Sequence, residues 1–111
     1  MKADANAPGS TPVLSHLQDW YAGHHQELTA TGVIVTLQHS PPGRSKASIA
    51  VDLDADPRLA SLIIWDTGET ELDLADLHTG AHIPQHHDIS SPAEVDHLLS
   101  QILTWIGHAQ P

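Results

Sequence analysis

Apolar residues recur at helical spacing near both ends of the chain and at alternating spacing between them. Val13, Leu17, Trp20, Tyr21, His24 and Leu28 fall three or four apart, the pattern of one helix face. Thr11 suits the N-cap, Pro12 the first helical position and Gly32 the stop, so a helix is expected over Pro12–Ala30. Near the other end, "SPAE" offers Ser91 as N-cap, Pro92 first and Glu94 third, a capping box with proline. Val95, Leu98, Leu99, Ile102 and Ile106 then form one apolar stripe flanked by Trp105, and Gly107 ends it.

The middle of the chain reads as strands. Val33–His39 is rich in β-branched residues. Lys46–Leu53 alternates, with Ala47, Ile49, Val51 and Leu53 on one face. Leu59–Asp66 and Thr70–Leu77 flank "TGE", a compact hairpin signal. His82–Ile89 is a weaker strand with Ile83 and Ile89 inward, and Pro84 marks it as an edge. Short links favour antiparallel neighbours. The economical fold is α+β: a five-stranded antiparallel sheet flanked by an N-terminal and a C-terminal helix packed on one face. Residues 1–10, small, polar and Pro/Gly-containing, read as a disordered lead-in to a single domain over 11–111. His24 on the apolar stripe is expected to be partly buried and hydrogen-bonded.

Two helices on one face leave the other face of the sheet open. The stretch Leu62-Ile63-Ile64-Trp65 is apolar at every position, whereas Glu71, Asp73 and Asp76 interrupt the strand that follows. Hairpin register decides which residues face out. A two-residue Thr67-Gly68 loop puts Ile63 and Trp65 in the core and Leu62 and Ile64 outside beside Glu71 and Asp73. A three-residue loop that takes in Glu69 reverses the two pairs. Lys46, Ser48, Ala50 and Asp52 join this face by alternation, together with His86 and Asp88. The candidate partner-binding set is therefore Asp52, Leu62, Ile64, Glu71, Asp73, His86 and Asp88. An apolar centre with an acidic rim suits docking of a basic protein. A loop, the lead-in or a second copy of the chain, making a homodimer, is the alternative cover.

Charge sharpens this picture. The chain carries 14 acids against four Lys and Arg, for a formal net charge of −10 with its ten histidines neutral. No Lys or Arg follows Arg58. Such a surface repels phosphate backbones and anionic lipid and attracts basic partners, so neither nucleic acid nor membrane is an expected partner. The alternative is that the charge serves solubility. No cysteine occurs, which excludes disulfides and thiolate chemistry. No basic region leading into an apolar run and no apolar stretch of about 18 residues appears, so a soluble cytoplasmic protein is expected.

Candidate chemistry is thin. Asp52, Asp54 and Asp56 open like a calcium loop, but Pro57 and Ile63 stand where an EF-hand needs Gly and Glu. His82 and His86 share a strand face yet lie about 13 Å apart, too far for one zinc unless the chain bends at Pro84. No HExxH, nucleophile elbow or glycine-rich phosphate loop is present. No catalytic, metal or cofactor residue is assigned.

The run "LIIWDTGETELDLADLHTG", with its apolar strand ending in Trp65, its Gly68-Glu69 turn and "TELDL", resembles the central signature of the TriTu immunity proteins. The early helix carrying Trp20 and the ending "QHHDISSPAEVDHLLSQILTWI" extend the resemblance over most of residues 13–106. It implies a bacterial, cytoplasmic, non-enzymatic antitoxin encoded beside a polymorphic or contact-dependent growth-inhibition toxin and blocking that toxin by direct binding. Nuclease toxins tend to be basic because they bind phosphate, and an acidic inhibitor matches that charge. A small acidic secretion chaperone or adaptor, and a histidine-dependent metal-binding or catalytic domain, are the alternatives.

Overall fold

The computed structural model describes residues 12–107. The element order is α1 (Pro12–Ala30), β1 (Ile34–His39), β2 (Ser48–Ala55), β3 (Arg58–Trp65), β4 (Glu69–Asp76), β5 (Ala81–Asp88) and α2 (Pro92–Ile106). The strands form one antiparallel meander in the order β1-β2-β3-β4-β5. This is the expected fold class. Strand ends differ from the sequence reading by one or two residues. Leu77, for instance, leaves β4 and is exposed in the turn.

Both helix ends foreseen from local chemistry form. At the start of α2 the Ser91 side chain accepts from the Glu94 backbone N–H, and the Glu94 carboxylate accepts from the Ser91 N–H. Gly107 closes α2 in the left-handed region at φ 81°, and its N–H bonds the Leu103 and Thr104 carbonyls. Past α1, the Gly32 and Val33 amides bond the Thr29 and Leu28 carbonyls. The N-cap expected at Thr11 and the lead-in lie outside the described residues.

The core lies between the helices and one sheet face. Val13, Leu14, Leu17 and Leu28 of α1 and Val95, Leu98, Leu99, Ile102 and Leu103 of α2 are buried. They meet Ile49, Val51 and Leu53 of β2, Ala60, Leu62 and Ile64 of β3, and Leu72 and Leu74 of β4. Helix α1 covers β1 to β3, α2 covers β3 and β4, and the helices touch each other. Both therefore sit on the same side of the sheet. His16 Nε2 lies 2.7 Å from Asp96 Oδ1 between them.

Three side chains depart from expectation. Trp20 is only partly buried against the core. His24 is exposed: its ring stacks on Trp20 with centroids 5.0 Å apart, and its Nδ1–H donates to the Trp20 carbonyl at 2.8 Å. The expected hydrogen bond is therefore present, made within one turn of the helix, but the expected partial burial is not. Ile83 lies on the helix side, opposite Leu74, but stays 43% exposed because neither helix reaches out over β5.

The β3–β4 hairpin resolves the register. Leu62 pairs with Leu72, Ile63 with Glu71 and Ile64 with Thr70. The link is the three residues Asp66, Thr67 and Gly68, while Glu69 begins β4. Gly68 has φ +99° and its N–H bonds the Trp65 carbonyl at 2.8 Å. A three-residue hairpin loop commonly ends on a residue of positive φ, where glycine carries no side-chain penalty. Its carbonyl in turn accepts from the Ile89 N–H at 3.0 Å.

Candidate functional site

With this register, Leu62 and Ile64 turn into the core and are 0% exposed. They are therefore corrected as candidates for an outward surface. Their place on the open face is taken by Ile63 and Trp65, which lie there half-buried among their neighbours. One residue of loop length decides this, because strand side chains alternate with period two.

The open face is a grid of cross-strand rows. The first runs Ser48, Trp65, then Glu69 and Asp88. The second runs Gln38, Ala50, Ile63, Glu71 and His86. The third is Thr36, Asp52, Ser61, Asp73 and Pro84. The fourth is Ile34, Asp54, Leu59, Ala75 and His82. Neither helix crosses it. Of the sequence candidates, Asp52, Glu71, Asp73, His86 and Asp88 all lie on this face. Glu71, His86 and Asp88 are brought together directly, whereas Ser61 stands between Asp52 and Asp73. Sequence reasoning left the choice between Leu62 with Ile64 and Ile63 with Trp65 to the loop length, and missed Asp54, Glu69 and His82 on this face. The signal that favours Ile63 and Trp65 is the glycine at the third position of Asp66-Thr67-Gly68.

Three groups of contacts, around Glu69, His86 and His82, set the electrostatics. Lys46 Nζ lies 3.0 Å from Glu69 Oε1 and 5.8 Å from the Trp65 ring centre, so one cation caps the first row. The Thr67 hydroxyl also donates to Glu69, and that bond, with Lys46 adding to it, holds the Glu69 carboxyl below the usual range. His86 Nδ1 lies 2.6 Å from Glu71 Oε2 and its Nε2 3.5 Å from Asp88 Oδ1. The hydrogen bond to Glu71, reinforced by the negative charges of Asp88 and Glu71, raises the His86 pKa above the ordinary histidine value. His82 Nε2 lies 2.9 Å from Asp73 Oδ1. The two face histidines thus address different carboxylates. Among the described residues no group of three or more His, Asp or Glu is arranged to hold a metal ion.

The fourth cation of the sequence is turned away. Arg58 Nε bonds Asp76 Oδ2 at 3.1 Å on the helix side of the sheet. Asp76 is 6% exposed and also accepts from the His78 and Thr79 amides. The Thr79 amide first, with the His78 amide and Arg58 adding to it, holds its carboxyl below the usual range. With Arg58 engaged there, Asp52, Asp54, Glu71 and Asp73 dominate the lower rows of the open face.

A small acidic α+β protein with one carboxylate-rich sheet face that neither helix covers is the class that fold and surface define. Residues 15–105, most of the chain, match the family model described as Immunity protein TriTu. The chain belongs to the TriTu immunity protein family, and its role is that of an immunity protein. No curated protein matches it. Among the described residues, no helix is long and apolar enough to cross a membrane.

Proposed function

We propose that this immunity protein neutralises a cognate toxin domain by binding it directly through the open sheet face. One observation carries the reading: Asp52, Asp54, Glu69, Glu71, Asp73 and Asp88 share with Ile63 and Trp65 a surface that neither helix covers. Apolar side chains on a face where carboxylates outnumber the one lysine favour a partner that supplies the opposite charge and buries the centre. A basic toxin of the nuclease type has that character, since its own site must attract phosphate. The inhibitor acts in the cytoplasm by occlusion, without catalysis, cofactor, nucleic acid or membrane.

Co-expression with the toxin encoded beside it tests this. The unmodified chain should restore growth and co-purify with the toxin. Combined Glu71→Lys and Asp73→Lys should weaken both effects while the far-UV circular dichroism stays unchanged. Undiminished rescue by the double reversal would show that another surface binds the toxin. Absence of co-purification with the unmodified chain would remove direct binding altogether.

A further inference from the structure

The lower half of the open face is not flat. A hollow of about 480 Å³ opens there, and Ser61 and Ala75, with small side chains between longer neighbours, are in its lining. Leu59 and Ile34 supply apolar floor, and Ile34 is 63% exposed. Three carboxylates stand on its rim: Asp52, Asp54 and Asp73. His82 completes the rim beside Asp73, its ring nitrogen 2.9 Å from the carboxylate.

Register explains how these acids converge without repelling one another strongly. Asp52 and Asp73 both oppose Ser61, one on each neighbouring strand. Two strand spacings separate them, about 9.5 Å, whereas directly opposed like charges would lie about 5 Å apart. Asp54 lies two residues along β2 from Asp52, on the same face. A cation held over Ser61 would sit between all three. Among the described residues no Lys or Arg supplies it: Lys46 pairs with Glu69 at the far end of the face, Arg58 with Asp76 on the other side, and Arg44 lies in the β1–β2 connection outside the hollow's lining.

The geometry points to a socket for an arginine side chain presented by the toxin. Its aliphatic stem would lie on Leu59, Ala75 and Ile34, with the guanidinium between Asp52 and Asp73. Arginine fits better than lysine because a planar fork can donate to two carboxylates at once and is more weakly hydrated than an ammonium. The assignment to the toxin rests on the proposed toxin-binding role of this face. It separates the lower rows, which would take a charged side chain, from the upper rows, where Ile63 and Trp65 offer apolar contact.

An amide-resolved NMR titration of the 111-residue chain with N-acetyl-arginine amide, against the uncharged N-acetyl-citrulline amide, reads the socket without any toxin. The expected result is a saturable arginine response at Asp52, Ser61 and Asp73, with none from citrulline. Asp73→Asn should weaken the arginine response by up to about fivefold, the upper range for one exposed ion pair. Ser61→Arg, which places a cation on the floor, should abolish that response and the growth rescue while the rest of the spectrum is kept. Equal responses to both probes, a response centred elsewhere, no response, or full rescue by Ser61→Arg would overturn the socket. If the socket fails while the unmodified chain still binds the toxin, direct binding stands. If the unmodified chain does not bind, that reading fails on its own measurement.

Discussion

The guanidinium of Arg58 lies 4.4 Å from the centre of the Trp105 ring, and its Nη1 donates to the Trp105 carbonyl at 2.8 Å. The Trp105 indole N–H in turn donates to the Ala75 carbonyl at 3.1 Å. The last turn of α2, which has no basic residue of its own, is thereby tied to β3 and β4. An arginine in strand β3 supplies the positive charge that favours a helix C-terminus.

Arg58→Ala should therefore loosen the end of α2. A cation–π contact with a charge-assisted hydrogen bond is expected to contribute about 1–2 kcal/mol at this half-exposed site. Arg58→Lys should recover little of it, because an ammonium cannot reach Asp76 and the Trp105 carbonyl with one planar fork. Urea denaturation measures both. Stability equal to the parent in Arg58→Ala would show that the tie is incidental.

Gly68→Ala should be more damaging than Gly80→Ala, although both glycines have positive φ. The conformational penalty alone is about 1–2 kcal/mol at either site. At Gly80 an added Cβ meets open space, whereas at Gly68 it would overlap the Ile89 carbonyl oxygen. That oxygen belongs to backbone, which cannot rotate away like a side chain. Paired denaturation curves would reveal the difference, and equal losses would contradict the close approach.

Leu99→Ala removes a side chain of α2 that is 2% exposed in the core. Core truncations of this kind cost about 2–5 kcal/mol, through lost burial and the cavity left behind. A loss below about 1 kcal/mol would be inconsistent with α2 packing on this sheet face.

Mild acid should slow toxin capture without unfolding the protein. The folded pKa of His86 is raised, so its pairing contributes stability below the unfolded histidine value and loses it as pH rises through the higher folded value. Going from pH 7.5 to 5.5 therefore strengthens this contact. Glu69, Asp76 and Glu94 have lowered folded pKa values, so their contribution is present above the unfolded carboxylate values and lost only as pH falls through the lower folded ones. The fold should hold through the mild window. Protonated His86 meanwhile offsets the charge of Glu71 and Asp88, and the field that steers a basic partner weakens. Salt at neutral pH should do the same, since screening shortens the field to about 8 Å at 0.15 M. Stopped-flow association rates over pH and salt, with circular dichroism alongside, test this. A rate flat in both variables would assign the acidic surface to solubility.

The elements themselves were legible in the chain because their signals are local. Proline at the first position and glycine at the stop bracket a helix from within a few residues. So do Ser91, Pro92, Glu94 and Gly107 for α2. Alternation in Ile49, Val51 and Leu53 names the inner face of β2 without reference to any other strand. The acidity of Glu71, Asp73 and Asp88 and their outward direction were likewise readable from period two.

The identity of the outer apolar pair was decided only by the fold. Leu62, Ile63, Ile64 and Trp65 are all apolar, so composition cannot say which alternate set is buried. The choice fell to Gly68, whose positive φ and contact with Ile89 set a three-residue link and turned Leu62 and Ile64 inward. The hollow at Ser61, the tie from Arg58 to Trp105 and the pairing of His86 with Glu71 join residues far apart in the chain. Such contacts exist only once strand pairing has placed them, since the chain's local periodicity records which way a side chain points and not what it will face.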